Sequence, residues 1–308
     1  MTNLTAIEAA ARRIREMVIR TPLIEDPTGN GLLYKAEHLQ RTGSFKLRGA
    51  SNRVMLAAEA GARHVVTGSS GNHGQAVAYV AQRLGLKATV VVPEDAPAVK
   101  VRGIQSWGAT VEFCGLTSTE RLARAAQIVE ETGAVFIPPY DDPEIMAGQG
   151  TIGLEILEQA PQVEVVYVPI GGGGLISGVA TALKESNPRI RVVGVEPALA
   201  NDTYLSRQQG RRVSIGTSTS IADGLRASMP GELTFPVVQR YVDEIVLVTD
   251  EEIRRACRYL LEQVRQAVEP SGAASVAAAL RSGGRAVAVI SGGNLDLARL
   301  SGVPAWSV

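Results

Sequence analysis

The segment TGSFKLRGA, residues 42–50, places a lysine between a phenylalanine and a leucine–arginine pair, after a turn rich in glycine and serine. This order of residues predicts a helix that begins close to Lys46. A partly buried lysine loses its proton near neutral pH, because desolvation disfavours the ammonium form, and the free amine can then form a Schiff base with a carbonyl group. The alternative is a solvated lysine at a helix start, and the short sequence SFK alone does not decide between the two.

Two glycine-rich loops further along the chain favour the reactive lysine. GSSGNHG at residues 68–74 and GGGG at residues 171–174 each follow a strand-like apolar run and precede a helical pattern. Backbone N–H groups at a helix N-terminus attract anions, and glycine lets the backbone approach a phosphate closely. The two loops therefore predict a ligand that carries phosphate.

A dinucleotide site is a weaker interpretation of the second loop. The pattern GxGxxG needs a third glycine after Gly172 and Gly174, but Ser177 stands there, and Glu196 is the only acidic residue near the expected distance. A hydride-transfer enzyme also gives no role to the lysine in SFKLRG. This function is disfavoured.

Strand-like runs alternate with helical patterns along the chain, which is typical of an α/β fold with mainly parallel sheets. Pro138, Pro139 and Pro143 mark a bend where two lobes could join. The predicted strands cover residues 65–67, 88–92, 110–113, 135–137, 163–169, 192–195, 245–248 and 286–290.

The composition is that of a globular protein. The chain has 308 residues, of which 45% are hydrophobic and 20% charged, so a disordered chain is excluded. Its 31 basic and 31 acidic residues cancel, and nothing in this balance indicates a nucleic acid or an anionic membrane as a partner. No apolar run is long enough to span a bilayer. A small-molecule substrate is therefore expected.

The N-terminus and the cysteines indicate a cytoplasmic protein. Thr5 and Glu8 have capping-box spacing ahead of a helix predicted over 9–18, and arginines interrupt any signal-peptide core. Cys114 and Cys257 lie far apart and are expected to be reduced thiols.

Four motifs follow one another along the chain: SFKLRGA at 44–50, SSGNHGQA at 69–76, GGGG at 171–174 and SGGN at 291–294. Three further motifs support them: AGQGTIGLEI at 147–156, IADGL at 221–225 and EPSGA at 269–273. Together they resemble the fold-type II pyridoxal-phosphate enzymes, and most closely their serine/threonine dehydratase and serine racemase branch. The resemblance covers nearly the whole chain.

The resemblance implies a tryptophan synthase β-like α/β fold with two parallel-sheet domains and the cofactor in the cleft between them. The large pyridoxal-phosphate domain would comprise residues 1–60 and 141–308. A small domain, residues 61–140, would be inserted into it. By the same analogy the protein is expected to be a homodimer.

The resemblance also implies how the cofactor is held. Lys46 would bind it covalently and later remove the α proton of the substrate, while Phe45 and Gly224 would lie on the two faces of the pyridine ring. Asn72 would bond the phenolic oxygen, and the Ser291 hydroxyl would meet the pyridine nitrogen. The phosphate would lie on Gly171, Gly172, Gly173 and Gly174, and Glu269 is also assigned to the cofactor site.

The substrate would lie against Ser69, Ser70, Gly71 and His73. Ser70 bears on the reaction, because racemases and hydroxyaspartate dehydratases resemble SSGNH here whereas threonine dehydratases resemble SAGNH. Its hydroxyl would act as a second base on the face opposite Lys46, or would only bind the substrate carboxylate. His73 is expected to position the substrate rather than to act as a catalyst, and it has no metal-binding spacing to His38 or His64.

The segment VEPALAND, residues 195–202, resembles a cation-binding loop of the racemase branch. Glu196, the carbonyl of Ala200 and Asp202 would supply the hard oxygen ligands that Mg²⁺ or Ca²⁺ prefers. The alternative is that Asp202 only caps a helix that begins near Thr203.

These features predict a pyridoxal-phosphate-dependent ammonia-lyase that converts a small β-hydroxy amino acid to a 2-oxo acid and ammonia. The substrate would be L-threonine or L-serine, with 3-hydroxyaspartate as a close variant. Serine racemase is the nearest alternative, although Ala227 stands where racemases tend to carry serine. A β-replacement synthase is more distant, because such enzymes resemble TGGTG where this chain has GGGG. A non-catalytic protein would be expected to have lost Lys46 or the loop.

Overall fold

The computed structural model of the chain describes residues 2–69, 71–96, 98–282 and 284–295. Its α-helices are α1 Leu4–Ile14, α2 Lys46–Glu59, α3 Asn72–Leu84, α4 Ala98–Gln105, α5 Ser118–Thr132, α6 Pro143–Gln159, α7 Gly174–Ser186, α8 Asp202–Gln209, α9 Thr234–Tyr241, α10 Asp250–Tyr259 and α11 Pro270–Ser282. Its strands are β1 Leu23–Glu25, β2 Leu32–Ala36, β3 His64–Thr67, β4 Lys87–Val92, β5 Thr110–Phe113, β6 Val135–Phe136, β7 Val165–Pro169, β8 Arg191–Pro197, β9 Glu244–Val248 and β10 Ala286–Ile290. Short 3₁₀ turns cover Glu37–Leu39 and Asp223–Leu225, and a π-helical turn covers Leu260–Val264.

The larger of the two sheets formed by the described residues has the strand order β1-β2-β10-β7-β8-β9. Its strands pair in parallel except for β1, which is antiparallel to β2. Every residue of β10 is buried, as expected for a central strand covered on both faces. Helices α10 and α11 cover one face, and α6, α7 and α9 cover the other.

The smaller sheet has the order β5-β4-β3-β6 and is parallel throughout. An apolar cluster that includes Leu47 and Val54 of α2 packs with α3 on one face. Helix α5 covers the other face through Ala125 and Ile128. Helix α2 also packs on α6, so the helix that begins at Lys46 contacts both parts of the protein.

A buried ion network anchors α2. The Arg48 guanidinium donates to both oxygens of Glu37 at 2.8 Å and to the two oxygens of Glu155 at 2.7 and 2.9 Å. Lys35 of β2, also fully buried, donates to Glu155 at 2.6 Å and to Gln159 at 2.8 Å. Each buried charge of the network has a partner of opposite charge, and the network holds Arg48, in the first turn of α2, in place.

The predicted alternation of strands and helices is confirmed, and two details are wrong. The sequence patterns do not predict strands β1 and β2. The Thr5–Glu8 capping box does not start the first helix: Asn3 is the N-cap, its side chain accepts a hydrogen bond from the Ala6 N–H at 2.9 Å, and α1 begins at Leu4. No helix among the described residues has both the length and the apolar character needed to cross a membrane. Cys114 and Cys257 are free thiols, as predicted.

Candidate active site

The site lies where the glycine-rich loops leave the carboxyl ends of their strands, in agreement with the predicted strand–loop–helix order. The loop 171–174 connects β7 to α7, and the loop that begins at Gly68 connects β3 to α3. In parallel sheets these ends are where ligands bind. Helix α2 begins at Lys46, as predicted, and the Phe45 N–H donates to the Ser291 carbonyl at 3.0 Å. The lysine is thereby held beside the end of β10.

The Lys46 amine is partly buried and points to a backbone carbonyl. Its Nζ donates to the Pro139 carbonyl at 2.6 Å and lies 5.2 Å from the centroid of the Phe45 ring. Burial lowers the pKa of Lys46 to about 8. A useful fraction of free amine is therefore present near neutral pH, which is the condition for Schiff-base chemistry.

Three glycines of the loop 171–174 stand where a side chain would not fit, and the fourth, Gly171, stands where one would be crowded. A β-carbon on Gly172 would lie 2.4 Å from ring atoms of Tyr140, and one on Gly174 would lie 2.9 Å from the Tyr140 Cβ. Gly173 has φ +92°, a left-handed conformation that favours glycine. A β-carbon on Gly171 would lie 3.2 Å from the carbonyl of Gly224. The loop before α7 therefore has no side chains, as a phosphate site on its N–H groups would require, and it packs closely against Tyr140.

The second loop brings Asn72 and His73 to the site as the first residues of α3. His73 is buried, and its Nε2 lies 3.0 Å from the Ile137 carbonyl. Burial, together with the charge of Lys46, lowers the pKa of His73 to about 3. The imidazole is therefore neutral, in keeping with a positioning role. Ser69 and Gly71 flank this turn, while Ser70 lies outside the described residues.

Three hydrogen bonds tie the segment Glu269–Ser271 to the end of β10, to the Asp223–Leu225 turn and to Asn72. Ser291 directly follows β10, is buried, and its Oγ lies 3.3 Å from the Ser271 carbonyl. The Ser271 hydroxyl accepts the Gly224 N–H at 2.8 Å. Asn72 donates from Nδ2 to Glu269 at 2.6 Å.

The site also carries charges that sequence reasoning did not assign. The Lys100 amine of α4 lies 2.5 Å from the Asp223 carboxylate, next to Gly224. Burial raises the pKa of Glu269 to about 7; Asp223 adds to this shift, and Asn72 and Lys100 oppose it. A carboxyl group that titrates near neutrality is often found at a functional site.

The segment that contains Glu196, Ala200 and Asp202 forms a separate cluster at the end of β8. Glu196 accepts the N–H groups of Thr203 at 3.0 Å and Tyr204 at 2.8 Å, so it satisfies the start of α8. Asp202 is the first residue of α8, and neither of its buried carboxylate oxygens has a hydrogen-bond partner in another described residue. Asp202 therefore does not cap the helix through its side chain.

Sequence reasoning missed several residues of the site. Tyr140 covers the glycine loop, Ser271 links Gly224 to the end of β10, and Asn294 donates to Asn72 at 2.7 Å. Ser271 and Asn294 belong to two of the motifs, EPSGA and SGGN, but spacing along the chain does not reveal a contact between motifs. Tyr140 lies within the proline bend, and no motif around it marks it as a site residue.

The family model for pyridoxal-phosphate-dependent enzymes matches residues 14–292. The chain belongs to this family. Within the family it is similar to the L-threonine ammonia-lyase of Geobacter sulfurreducens, with 45% identity over 98% of this chain and 78% of that protein. It is 40% identical to the serine racemase of Dictyostelium discoideum, over 97% of each chain. The solved structure of maize serine racemase superimposes with a TM-score of 0.93 at 40% identity, over 97% of this chain and 95% of that one. The fold predicted from the motifs, fold-type II with parallel sheets, is confirmed.

Proposed function

We propose that the protein is a pyridoxal-phosphate-dependent ammonia-lyase that converts a small β-hydroxy amino acid to a 2-oxo acid and ammonia. The observation that carries the proposal is the Lys46 amine, with a pKa of about 8, at the start of α2 and beside the end of β10. L-threonine and L-serine are the first candidate substrates, and 3-hydroxyaspartate is a close variant. The similarity to L-threonine ammonia-lyases across most of the chain supports the reaction class.

The residues present fit the cofactor. The loop 171–174 has no side chains and leads into the N-terminus of α7, whose backbone N–H groups are suited to the phosphate group. Lys46 supplies the amine for the aldehyde, and Phe45 lies beside it. Ser291, a neutral hydroxyl, would meet the pyridine nitrogen. Asn72 would bond the phenolic oxygen, and Glu269 is held beside Asn72. Gly224 would leave the second face of the ring open to close contact.

When bound, pyridoxal phosphate withdraws electrons from the α carbon of an amino acid attached to it. The amine of Lys46 would take the α proton, since its lowered pKa keeps part of it unprotonated at neutral pH. The neutral His73 and the serine loop, Ser69 to Gly71, would orient the substrate carboxylate without competing for that proton. The β-hydroxyl group would take up a proton, balanced overall by the α proton that Lys46 removes, and leave as water. The enamine set free when Lys46 takes the cofactor back would then be hydrolysed by water to the 2-oxo acid and ammonia.

The decisive experiment is to supply the reconstituted enzyme with L-threonine, L-serine and the diastereomers of 3-hydroxyaspartate. The 2-oxo acid released and the chirality of the remaining substrate are both measured. We expect oxo acid without accumulation of the opposite enantiomer, lost in Lys46→Ala and retained in Lys87→Ala, which removes an exposed lysine of β4. Faster appearance of the D-amino acid would instead make the protein a racemase and Ser70 its second base.

We further propose that Glu196, Asp202 and the Ala200 carbonyl hold Mg²⁺ or Ca²⁺. The described residues contain no cluster of three His, Cys, Asp or Glu side chains, so a backbone carbonyl and water would complete the ligand set. The support is the buried carboxylate of Asp202, whose oxygens have no hydrogen-bond partner in another described residue. Glu196 lies close to it, and burial together with the charge of Asp202 raises the pKa of Glu196 to about 8. Chelator-treated protein should gain thermal stability with either cation, and Asp202→Asn should abolish that gain. An equal gain in both proteins would refute the site.

Three remaining features are proposals as well. The division into domains, residues 1–60 with 141–308 and residues 61–140, is supported by the separate sheets, since β3 to β6 all lie within the proposed small domain. The cytoplasm as the site of action is supported by the two free thiols, Cys114 and Cys257. The homodimer rests on the family resemblance alone, and sedimentation analysis would test it.

A further inference from the structure

Three hydrogen-bonded side chains, those of Asn294, Asn72 and Glu269, join three motifs to the turn before Lys46. Asn294 donates from Nδ2 to the Thr42 carbonyl at 2.9 Å and to Oδ1 of Asn72 at 2.7 Å. Asn72 in turn donates from Nδ2 to Glu269 at 2.6 Å. This series of hydrogen bonds therefore runs from the turn before Lys46, through Asn294 of SGGN and Asn72 at the start of α3, to Glu269 of EPSGA.

Asn294 is held in place by the backbone around it. The Gly293 N–H donates to the Gly43 carbonyl at 2.8 Å. A β-carbon on Gly43 would lie 2.3 Å from Oδ1 of Asn294, so the Asn294 side chain can pack here only because residue 43 is glycine. Gly43 also has φ +71°, a conformation that favours glycine. The amide has little freedom to move away from Asn72.

The Thr42 carbonyl determines which group donates and which accepts in this series of hydrogen bonds. A backbone carbonyl can only accept hydrogen bonds, so Asn294 must turn its NH₂ group toward it. That group uses one hydrogen for Thr42 and the other for Asn72, which must therefore accept through Oδ1. Asn72 then turns its own NH₂ group toward Glu269. Glu269 accepts in either protonation state, so the direction does not depend on its charge, which Lys100 and Asp223 influence.

The Asn72 amide uses one of its two N–H groups for Glu269, so the second N–H is left to donate to a ligand. We propose that Asn294 is a positioning residue for the cofactor, because it orients the Asn72 amide so that an N–H, and not the carbonyl oxygen, faces the phenolic oxygen of pyridoxal phosphate. The inference rests on the proposed role of Asn72. In the opposite orientation the Oδ1 atom of Asn72 would face the phenolic oxygen. Its lone pair would repel a negatively charged phenolate, so the neutral phenol would be favoured.

The test reverses donor and acceptor in the hydrogen bond between residues 294 and 72. Asn294→Asp replaces the donor by an acceptor, so the Asn72 amide flips to donate to it. We expect the Kd of the apoprotein for pyridoxal phosphate to rise about tenfold and the absorption of the bound cofactor to shift toward its short-wavelength band. The control Asn187→Asp makes the same charge change at the end of α7, where the oxygen that accepts the Arg189 N–H is kept. It should leave both readouts unchanged.

A double variant separates positioning from packing. In Asn294→Asp with Glu269→Gln, the amide introduced at position 269 can donate to the flipped Asn72, so the hydrogen bond between residues 72 and 269 is restored with the opposite direction. We expect its melting temperature to recover toward that of the wild type while its Kd stays about tenfold raised. Recovery of the Kd together with stability would overturn the proposal, because Asn294 would then only support packing.

If the aspartate variants fail to fold, Asn294→Ala decides the matter. It removes both donors without adding charge, and we expect at least a fivefold rise in Kd with the same spectral shift. A Kd within twofold of the wild type would contradict the proposal. All readouts concern the bound cofactor, so a wild type that binds pyridoxal phosphate at Lys46 but releases no oxo acid would refute the proposed function and leave this inference standing.

Discussion

Lys46 should attach pyridoxal phosphate much faster at pH 7 than a solvated lysine does. Burial lowers its pKa from 10.5 to about 8. At pH 7 about 9% of the amine is then unprotonated, compared with about 0.03% for an unshifted lysine, which is about a 300-fold larger supply of the nucleophile. The sign follows from the charge: the reactive form is the neutral amine, so a lowered pKa raises its fraction at neutral pH.

The assay is the reconstitution of apoprotein with pyridoxal phosphate, followed by the growth of the visible absorption band between pH 6 and pH 10. The rate constant should rise about tenfold from pH 7 to pH 9 and then level off, because the amine is almost fully unprotonated above its pKa. N-α-acetyl-lysine in the same buffers is the control and should keep rising, by about 100-fold over the same interval. A protein rate that also rises about 100-fold would refute a buried, shifted Lys46.

Three further predictions concern the glycine loop, the ion network and His73. Gly172→Ala should weaken pyridoxal-phosphate binding at least tenfold, since its β-carbon would meet the Tyr140 ring at 2.4 Å, and adding Tyr140→Ala should restore much of the affinity; equal affinities in the wild type and the single variant would contradict the packing. Arg48→Met should lower the free energy of unfolding in urea by about 3–5 kcal/mol, because it leaves buried carboxylates unpaired. Arg15→Met, at an exposed pair, should change it by less than about 1 kcal/mol, and similar losses in both would argue against the network. ¹⁵N NMR should show His73 neutral from pH 5 to pH 9, whereas a titration in that range would contradict its burial.

Much of the fold can be predicted from the sequence because its strands are apolar runs with clear turn signals. Strand β10, AVAVI, is entirely buried, and β5 has the predicted bounds. Strand β2 escapes prediction for a physical reason: LLYKA carries Lys35, whose charge is buried only because Glu155 and Gln159 lie 120 and 124 residues further along the chain. Strand β1 has three residues, too few to show a period.

Part of the candidate site can likewise be predicted from the sequence. Lys46 and the glycine loop lie at the start of helices, and local sequence patterns predict such boundaries. The start of α1 is predicted wrongly, because Thr5 and Glu8 have capping-box spacing but the Asn3 side chain accepts the capping hydrogen bond. The contact of Asn294 with Asn72 joins residues 222 positions apart, so it depends on the packing of both sheets and no window of sequence contains it.

The most direct test of the central claim is the stoichiometry of products from L-threonine and L-serine. The reconstituted protein should release one ammonia for each 2-oxo acid, with no product from Lys46→Ala and normal product from Lys87→Ala. Interconversion of enantiomers without ammonia would contradict the lyase assignment. Product formation by Lys46→Ala at the wild-type rate would contradict the role given to Lys46.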